Sequence, residues 1–414
     1  MAAELRTLRA LAVHLQGRRV GVLTRLAGDH QLFAFDEAYL EDPDRPTLSL
    51  SFKGPGGSLV TRPHTYVARV PPFFANLLPE GPLRRYLAKH AGVRPEREFF
   101  LLAALGGDLP GAVVVTPLDY DGGGAAPPEA APDSTSDDAS LPVLRFSLAG
   151  VQLKFSAIVE ATGGLTIPAG GAGGSWIVKL PSVHFPAIPE NEFVMLSLAR
   201  AIGIDVPACR LVGVRDVEGL PADAAGLPGK ALAVRRFDRG AEGERIHMED
   251  FAQVFGLFPD DKYERRSYAN IAAVIRAEAG EEATDSFVRR LAFSVAIGNG
   301  DMHLKNWSLL YPDGRTATLS PAYDFVSTIP YIPGERLALS FGESRSLDGI
   351  TKDQVRRFAD TAHLPASPLW EIAAETAQRT VEAWRQLAER DCLPPDLRAA
   401  IERQIEAAAH GTRG

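Results

Sequence analysis

Residues suited to transferring a phosphoryl group lie close together in the C-terminal half of the chain, in the stretches NGDMHLKN and PAYDF. Asp301 and Asn306 are five positions apart, and Asp324 follows a short apolar run and the turn sequence YPDG. Asp301 could orient and deprotonate a hydroxyl group, while Asn306 and Asp324 could hold Mg²⁺ on the phosphates. Lys305 would add positive charge where the transferring group gathers negative charge. The pattern therefore predicts Asp301 and Lys305 as catalytic residues, with Asn306 and Asp324 as metal ligands.

Two other interpretations of these residues stay open. NGD could form a simple turn in which Asp301 is a cap, with Asp324 on a solvated edge. Alternatively, Asp301, His303 and Asp324 could serve a metal-dependent hydrolase. Their spacing, however, supplies no third protein ligand of the usual kind.

Upstream residues could bind the phosphates of a nucleotide. Lys179 lies in the apolar stretch SWIVKLP, where a lysine could grip phosphates, and Glu192 in the following helix is placed to pair with it. An edge lysine and a glutamate favoured by the helix dipole would give the same pattern. Neither GxGxxG nor GxxxxGK[ST] occurs, so the candidate phosphate loop is SLAGVQLK. There Ala149 and Gly150 would admit a phosphate to backbone N–H groups, and Lys154 adds charge.

The elements that must position these residues divide the chain into four parts. Alternating strands in RRVGVLTRL, HQLFAFD and PTLSLSF, a helical PPFFANLLPEGPLRRYLAKHAG and a buried GAVVV predict a small α+β subdomain over residues 1–120. Residues 121–140 have the composition of a flexible linker. Residues 141–238 mix strands such as SWIVKL and KALAVRRF with the helix PENEFVMLSLARAIGI. Helical periods, including MEDFAQVFG and PLWEIAAETAQRTVEAWRQLAER, dominate residues 239–414. This is the layout of an α+β, two-lobed kinase-like fold with an extra N-terminal subdomain and a mainly helical C-terminal lobe.

Composition narrows the function classes. The formal net charge of −8 argues against broad contact with a nucleic-acid backbone by the chain itself. Cys209 and Cys392 are too few and too far apart to suggest a disulfide framework or a zinc site. Since the sequence contains neither a long apolar run nor signal-peptide features, we expect a cytoplasmic protein without a membrane partner.

Several motifs together resemble a known family. SLAGVQLK, WIVKLP, NEFVMLSLARAIGI, ALAVRRFDR, MEDFAQVFG, NGDMHLKN and PAYDF occur in the order and rough spacing of HipA-family toxins. VGVLTR, LSLSF, FFANLLPEGP and GAVVV resemble the first subdomain of that family. The resemblance spans nearly the whole chain. It implies a serine/threonine protein kinase that uses ATP and Mg²⁺, the toxin of a bacterial toxin–antitoxin pair.

The resemblance also implies roles for individual residues. Asp301 matches the catalytic base, and Ser147 matches a serine whose autophosphorylation pushes the phosphate loop out of the site. The implied nucleotide-binding residues are Leu148, Ala149, Gly150, Val151, Gln152, Lys154, Lys179, Phe237, Asp238, His303 and Tyr323. Arg235 is a departure, because family members often carry Glu at this hinge position. We expect ATP binding to survive through backbone groups, with the loss of a side-chain contact.

The partners follow from the same resemblance. It implies an aminoacyl-tRNA synthetase as the phosphorylated target, with growth arrest as the outcome. It also implies a small, HipB-like helix-turn-helix antitoxin, through which operator DNA would mainly be bound. The alternative is a catalytically silent nucleotide-binding or antitoxin-binding co-repressor module.

Overall fold

The computed structural model describes residues 8–61, 64–118, 154–159, 165–167, 174–220 and 222–412. These residues form three sheets and a mainly helical C-terminal part, as expected for an α+β protein. The predicted linker at 121–140, and Ser147 to Gln152 of the predicted phosphate loop, lie outside the described residues. None of the described helices is long and apolar enough to cross a membrane.

The N-terminal part is built on a five-stranded antiparallel sheet in the order β4-β3-β2-β1-β5. Val20 and Leu23 of VGVLTR are buried in the apolar core of this part. The strands are β1 (Ala10–Leu15), β2 (Arg18–Arg25), β3 (His30–Phe35), β4 (Tyr66–Val67) and β5 (Val113–Leu118), and the helices are α1 (Glu37–Leu40), α2 (Pro72–Ala75), α3 (Gly81–Ala91) and α4 (Glu98–Leu105).

Two predicted elements of this part are wrong. PTLSLSF is not a strand, because Ser49 accepts a hydrogen bond from the backbone N–H of Ser51 and the chain forms a single 3₁₀ turn at Leu50–Phe52. The predicted helix from Pro71 to Gly92 is broken between α2 and α3. Pro79 lacks a backbone N–H to continue the helix, and Gly81 takes a left-handed φ of 54°.

The middle part is a six-stranded sheet in the order β10-β7-β6-β8-β11-β9. Its strands are β6 (Lys154–Val159), β7 (Leu165–Thr166), β8 (Trp176–Lys179), β9 (Cys209–Gly213), β10 (Val217–Glu218) and β11 (Lys230–Arg235). The helix α5 (Ile188–Ala201) lies near β11 and β9. Its predicted apolar stripe, Val194, Met195, Leu198, Ala199 and Ile202, is buried. A short helix, α6 (Ala222–Ala225), follows β10.

The C-terminal lobe packs helices around a three-stranded sheet of β12 (His247–Asp250), β13 (Ser308–Tyr311) and β14 (Thr318–Leu319). Its helices are α7 (Phe251–Val254), α8 (Tyr268–Ala296), α9 (Lys352–Ala362), α10 (Ala366–Gln386) and α11 (Pro395–Gly411). MEDFAQVFG is only partly helical: its first residues belong to β12, and Asp250 then caps the single turn of α7. Gly280 interrupts α8 with a φ of 87°.

Polar contacts dock the N-terminal subdomain on the other two parts. The backbone N–H of Gly111 donates a 2.8 Å hydrogen bond to Asp238, and Ser49 donates its hydroxyl hydrogen to the carboxylate of Glu249. Gly111 has a φ of 74°, and a Cβ there would lie 2.8 Å from the backbone nitrogen of Met248. A glycine is therefore required by both the conformation and the close approach of the two backbones.

Candidate active site

One pocket is lined by several of the residues predicted to act in catalysis, metal binding or nucleotide binding. It is lined by Lys154, Lys179, Ile188, Glu192, Asn299, Asp301, Asn306, Asp324, Val326 and Thr328. These residues come from β6, β8, α5 and the segments on either side of the β13–β14 hairpin. The fold thus brings Lys154, Lys179, Asp301, Asn306 and Asp324 together, as the sequence predicted.

Two lysines enter the pocket from neighbouring strands. Lys154 and Lys179 are direct partners in the antiparallel pairing of β6 and β8. Lys179 is buried and donates hydrogen bonds to Glu192 and Asp324, while Lys154 Nζ lies 3.5 Å from Asp324 Oδ2. Burial disfavours the charge of Lys179, but Asp324 and Glu192 outweigh it and raise its pKa. Both carboxylates therefore hold a positive charge in the pocket.

Asp324 is held in an uncommon backbone conformation. Its φ of 55° lies in the left-handed region, which non-glycine residues rarely adopt. Burial disfavours its charge, yet Lys154 and Lys179 hold the pKa of this carboxyl well below its ordinary value. The pocket thus contains an ionised carboxylate at neutral pH.

Hydrogen bonds within the loop after α8, and one from Tyr263 ahead of that helix, hold Asp301 in place. Its backbone N–H donates to Asn299 Oδ1 at 3.1 Å, and Asn306 Nδ2 donates to its carbonyl oxygen at 2.8 Å. The hydroxyl of Tyr263 donates to Asp301 Oδ1 at 2.7 Å. Thr328 accepts the backbone N–H of Gly300 at 2.8 Å, which ties the loop to the segment after Asp324. Sequence reasoning missed Tyr263, because an isolated tyrosine far from the motif carries no spacing signal.

The structure places Lys305 elsewhere than its predicted role requires. Its ammonium group donates to the carbonyl oxygen of Asn76 at 2.8 Å and to Asp250 Oδ2 at 2.9 Å. It also lies 3.6 Å from Glu80 Oε1. Lys305 is not among the described residues that line the pocket. The geometry therefore supports an anchor to the N-terminal subdomain instead of a charge at the transferring phosphoryl group.

The predicted hinge residues are Phe237 and Asp238. The Phe237 ring centroid lies 5.5 Å from that of Tyr323. The carboxylate of Asp238 is bound by Arg236, Arg239 and the backbone N–H of Gly111. This side chain is therefore committed to the N-terminal interface, and the carbonyl oxygen of Asp238 accepts from Ile246 and Arg239.

His303 and Tyr323, two of the implied nucleotide-binding residues, are not among the described residues that line the pocket. Tyr323 donates its hydroxyl hydrogen to the carbonyl oxygen of Lys305 at 2.9 Å, and burial raises its pKa well above the ordinary value. His303 is 1% exposed, and burial lowers its pKa well below the ordinary value, so its ring is neutral. Within the described part of the chain, neither ring nitrogen of His303 has a hydrogen-bond partner. Arg235 is exposed at the end of β11, and its effect on ATP binding stays a prediction.

The donor atoms of the pocket suit a divalent cation that arrives with phosphates. Asp324 and Asn306 offer oxygen atoms, the type that Mg²⁺ prefers, and the two lysines suit phosphate oxygens. The described residues contain no cluster of three or more His, Cys, Asp or Glu side chains able to hold a metal alone. Two protein oxygens plus phosphates are the usual requirement for Mg²⁺ in nucleotide sites.

Comparison with known proteins defines the family. A model described as the HipA N-terminal domain matches residues 11–116, and one described as the HipA-like C-terminal domain matches residues 146–384. "Putative kinase Y4dM" of Sinorhizobium fredii is 52% identical over 393 residues, which cover 94% of each chain. "Serine/threonine-protein kinase toxin HipA" of Shewanella oneidensis is 28% identical over 350 residues, which cover 75% of each chain.

A solved structure supports the fold. A chain in the complex of HipA, HipB and operator DNA from Shewanella oneidensis aligns with a TM-score of 0.71 and 24% identity, over 97% of this chain and 96% of that one. The predicted α+β, two-lobed kinase-like fold is thereby confirmed. Three findings indicate the same family: the matches to both domain models, the 52% identity to a relative over nearly its full length, and this shared fold. The chain belongs to the HipA family.

Proposed function

We propose that the chain is an ATP-dependent serine/threonine protein kinase. The observation that carries this proposal is the convergence of Lys179, Asp301, Asn306 and Asp324 on one pocket, from three separate segments of the chain. A simple turn at NGD would not need the Lys179–Glu192 pair or the bond from Tyr263 to Asp301. The kinase names of the relatives described above support the same activity.

Each residue has a role that its position supports. Lys179 and Lys154 bind phosphate oxygens, and Glu192 keeps Lys179 directed into the pocket. Asp301 orients the acceptor hydroxyl and takes its proton, with Oδ1 already held by Tyr263. Asn306 and Asp324 would hold Mg²⁺, which neutralises charge on the phosphates when it is bound.

The cellular role is proposed from the relatives. The Shewanella oneidensis protein is named a toxin and forms a complex with HipB and operator DNA. We propose that this chain is likewise a growth-arresting toxin, with a small helix-turn-helix antitoxin through which operator DNA is bound. An aminoacyl-tRNA synthetase is the proposed target, on the strength of the sequence resemblance alone. Autophosphorylation of Ser147, which would displace the phosphate loop, is the proposed means of self-inactivation.

A phosphate-transfer assay tests the activity. The purified chain and Asp301→Asn are each incubated with labelled Mg·ATP and a lysate, and labelled proteins are identified by mass spectrometry. We expect wild type to label a distinct protein and Asp301→Asn to leave it unlabelled. If neither labels any protein but both bind ATP, the chain is the silent nucleotide-binding module, and the kinase proposal fails.

A further inference from the structure

Glu80 of the N-terminal subdomain reaches the loop that carries Asp301. It immediately precedes α3 and is partly exposed. Its Oε2 accepts a 2.7 Å hydrogen bond from Lys262 Nζ, and its Oε1 lies 3.6 Å from Lys305 Nζ. One carboxylate from the N-terminal subdomain thus contacts two lysines of the C-terminal lobe.

The surrounding groups make this contact specific. Asn76 and Asp250 complete the shell around the Lys305 ammonium group. The cluster therefore contains two carboxylates, Glu80 and Asp250, against two ammonium groups. Burial opposes the charge of Glu80, but Lys305 and Lys262 hold its pKa at about 2, so it is ionised at neutral pH. Without Glu80, the two ammonium groups of Lys262 and Lys305 would face a single carboxylate, that of Asp250.

Two short paths lead from Glu80 to Asp301. Lys262 is followed directly by Tyr263, which donates to Asp301 Oδ1. The carbonyl oxygen of Lys262 also accepts a 3.2 Å hydrogen bond from the backbone N–H of Leu304. Lys305 is followed directly by Asn306, which donates to the carbonyl oxygen of Asp301. Glu80 therefore binds Lys262 and Lys305. These two lysines adjoin Tyr263 and Asn306, which are two of the hydrogen-bond donors to Asp301.

We propose that Glu80 is a positioning residue for Asp301, so that the N-terminal subdomain forms part of the support of the kinase site. This inference rests on the proposed function, in which Asp301 is the base. Glu80 touches neither the nucleotide-facing lysines nor Asp324, and it acts only through Lys262 and Lys305. Loss of its charge should disturb the orientation of Asp301 and leave the phosphate-binding side of the pocket intact.

Glu80→Gln tests this proposal, because it keeps the shape of the side chain and removes its charge. The matched control is Glu278→Gln, which removes the Lys53–Glu278 ion pair, also between the N-terminal subdomain and the C-terminal lobe, but away from the Asp301 loop. We expect Glu80→Gln to lower kcat by about tenfold to a hundredfold, with KM for ATP changed less than about twofold. Glu278→Gln should match wild type. Combining Glu80→Gln with Tyr263→Phe should lower kcat by less than the product of the two single effects, because both act on one carboxylate.

Hydrogen exchange gives a readout independent of activity. In Glu80→Gln, exchange should speed up in residues 299–307 and stay unchanged in α5, which also shows that the variant is folded. If exchange in residues 299–307 equals that of wild type, or if kcat is unaffected while wild type is active, Glu80 has no positioning role. If wild type transfers no phosphate, the kinase proposal fails, and exchange still decides whether Glu80 holds the loop. Faster exchange together with a rise in KM alone would also overturn the proposal, since it would place the effect on ATP binding.

Discussion

The hydroxyl of Tyr263 donates a 2.7 Å hydrogen bond to Oδ1 of Asp301. This bond restrains the rotation of the carboxylate group. The arrangement is suited to a general base, because the carboxylate is oriented before the acceptor arrives.

Asp301→Asn is expected to abolish phosphate transfer and retain ATP binding. The amide cannot accept the proton of the acceptor hydroxyl, so the rate should fall by roughly a hundredfold to ten-thousandfold. Transfer of labelled phosphate measures the rate, and calorimetry measures ATP affinity. Transfer at the wild-type rate would show that Asp301 is not the base.

Asp324→Ala is expected to weaken Mg·ATP binding more than Asp301→Asn does. A metal ligand is lost, and the affinity should fall on the order of tenfold to a hundredfold. Calorimetry with and without Mg²⁺ separates the metal-dependent part. Equal Mg·ATP affinity in Asp324→Ala and wild type would rule out a ligand role.

Lys179→Met is expected to destabilise the fold as well as remove activity. The buried carboxylates of Glu192 and Asp324 would lose their shared cation, at a cost of about 3 kcal/mol in the free energy of unfolding. Adding Glu192→Gln should recover part of this loss, since it removes one unpaired buried charge. Urea unfolding measures the free energy of unfolding of wild type, Lys179→Met and the double variant. If the double variant were less stable than Lys179→Met, the two carboxylates would not repel each other after the loss of the lysine, and the prediction would be wrong.

Glu249 is expected to make stability fall as the pH rises. Burial raises its folded-state pKa from 4.5 to about 7, although Ser49, Tyr311 and the backbone N–H of Leu50 donate to it. Folding therefore favours the protonated acid, and this contribution is complete below pH 4.5 and lost as the pH rises through 7. The loss amounts to about 3 kcal/mol. Urea unfolding at pH 5 and pH 8 measures the free energy of unfolding, and Glu249→Gln should not show this decline. An identical decline in wild type and Glu249→Gln would refute the assignment.

Ser147 is expected to be the site of self-modification. It lies just before Ala149 and Gly150, so a phosphate there would compete with ATP for the same backbone donors. Incubation with Mg·ATP should give a chain phosphorylated at Ser147 with lower activity toward its target, and Ser147→Ala should keep its activity. Mass spectrometry locates the modification. Phosphate found only on other residues would remove the self-inhibition proposal and leave the kinase proposal standing.

The sequence predicted the contents of the pocket better than the contacts around it. Asp301, Asn306 and Asp324 follow a local order that reflects their chemistry, so their spacing predicted them together, and the apolar context of SWIVKLP predicted Lys179. Lys305 belongs to the same motif but binds Asn76 and Asp250, because docking of the N-terminal subdomain determines its direction. Tyr263 and Glu80 reach the Asp301 loop only through tertiary contacts, which no local pattern records.

Secondary structure shows the same limit. Periodicity located α5 and α10 well, since each buries one apolar stripe. It failed at PTLSLSF, where alternating residues form a turn, because the side chain of Ser49 bonds to the local backbone and to Glu249 in another part of the chain.

The glycine at position 111 has a mechanical consequence. Because the backbone of Gly111 packs directly on that of Met248, a methyl group at this position would clash with β12 and push the N-terminal subdomain away from it. Such a methyl group would change no ionisable group. Docking of this subdomain therefore depends on the close approach of two backbones as well as on its ion pairs, and Gly111→Ala would weaken it without altering the charge of Glu80.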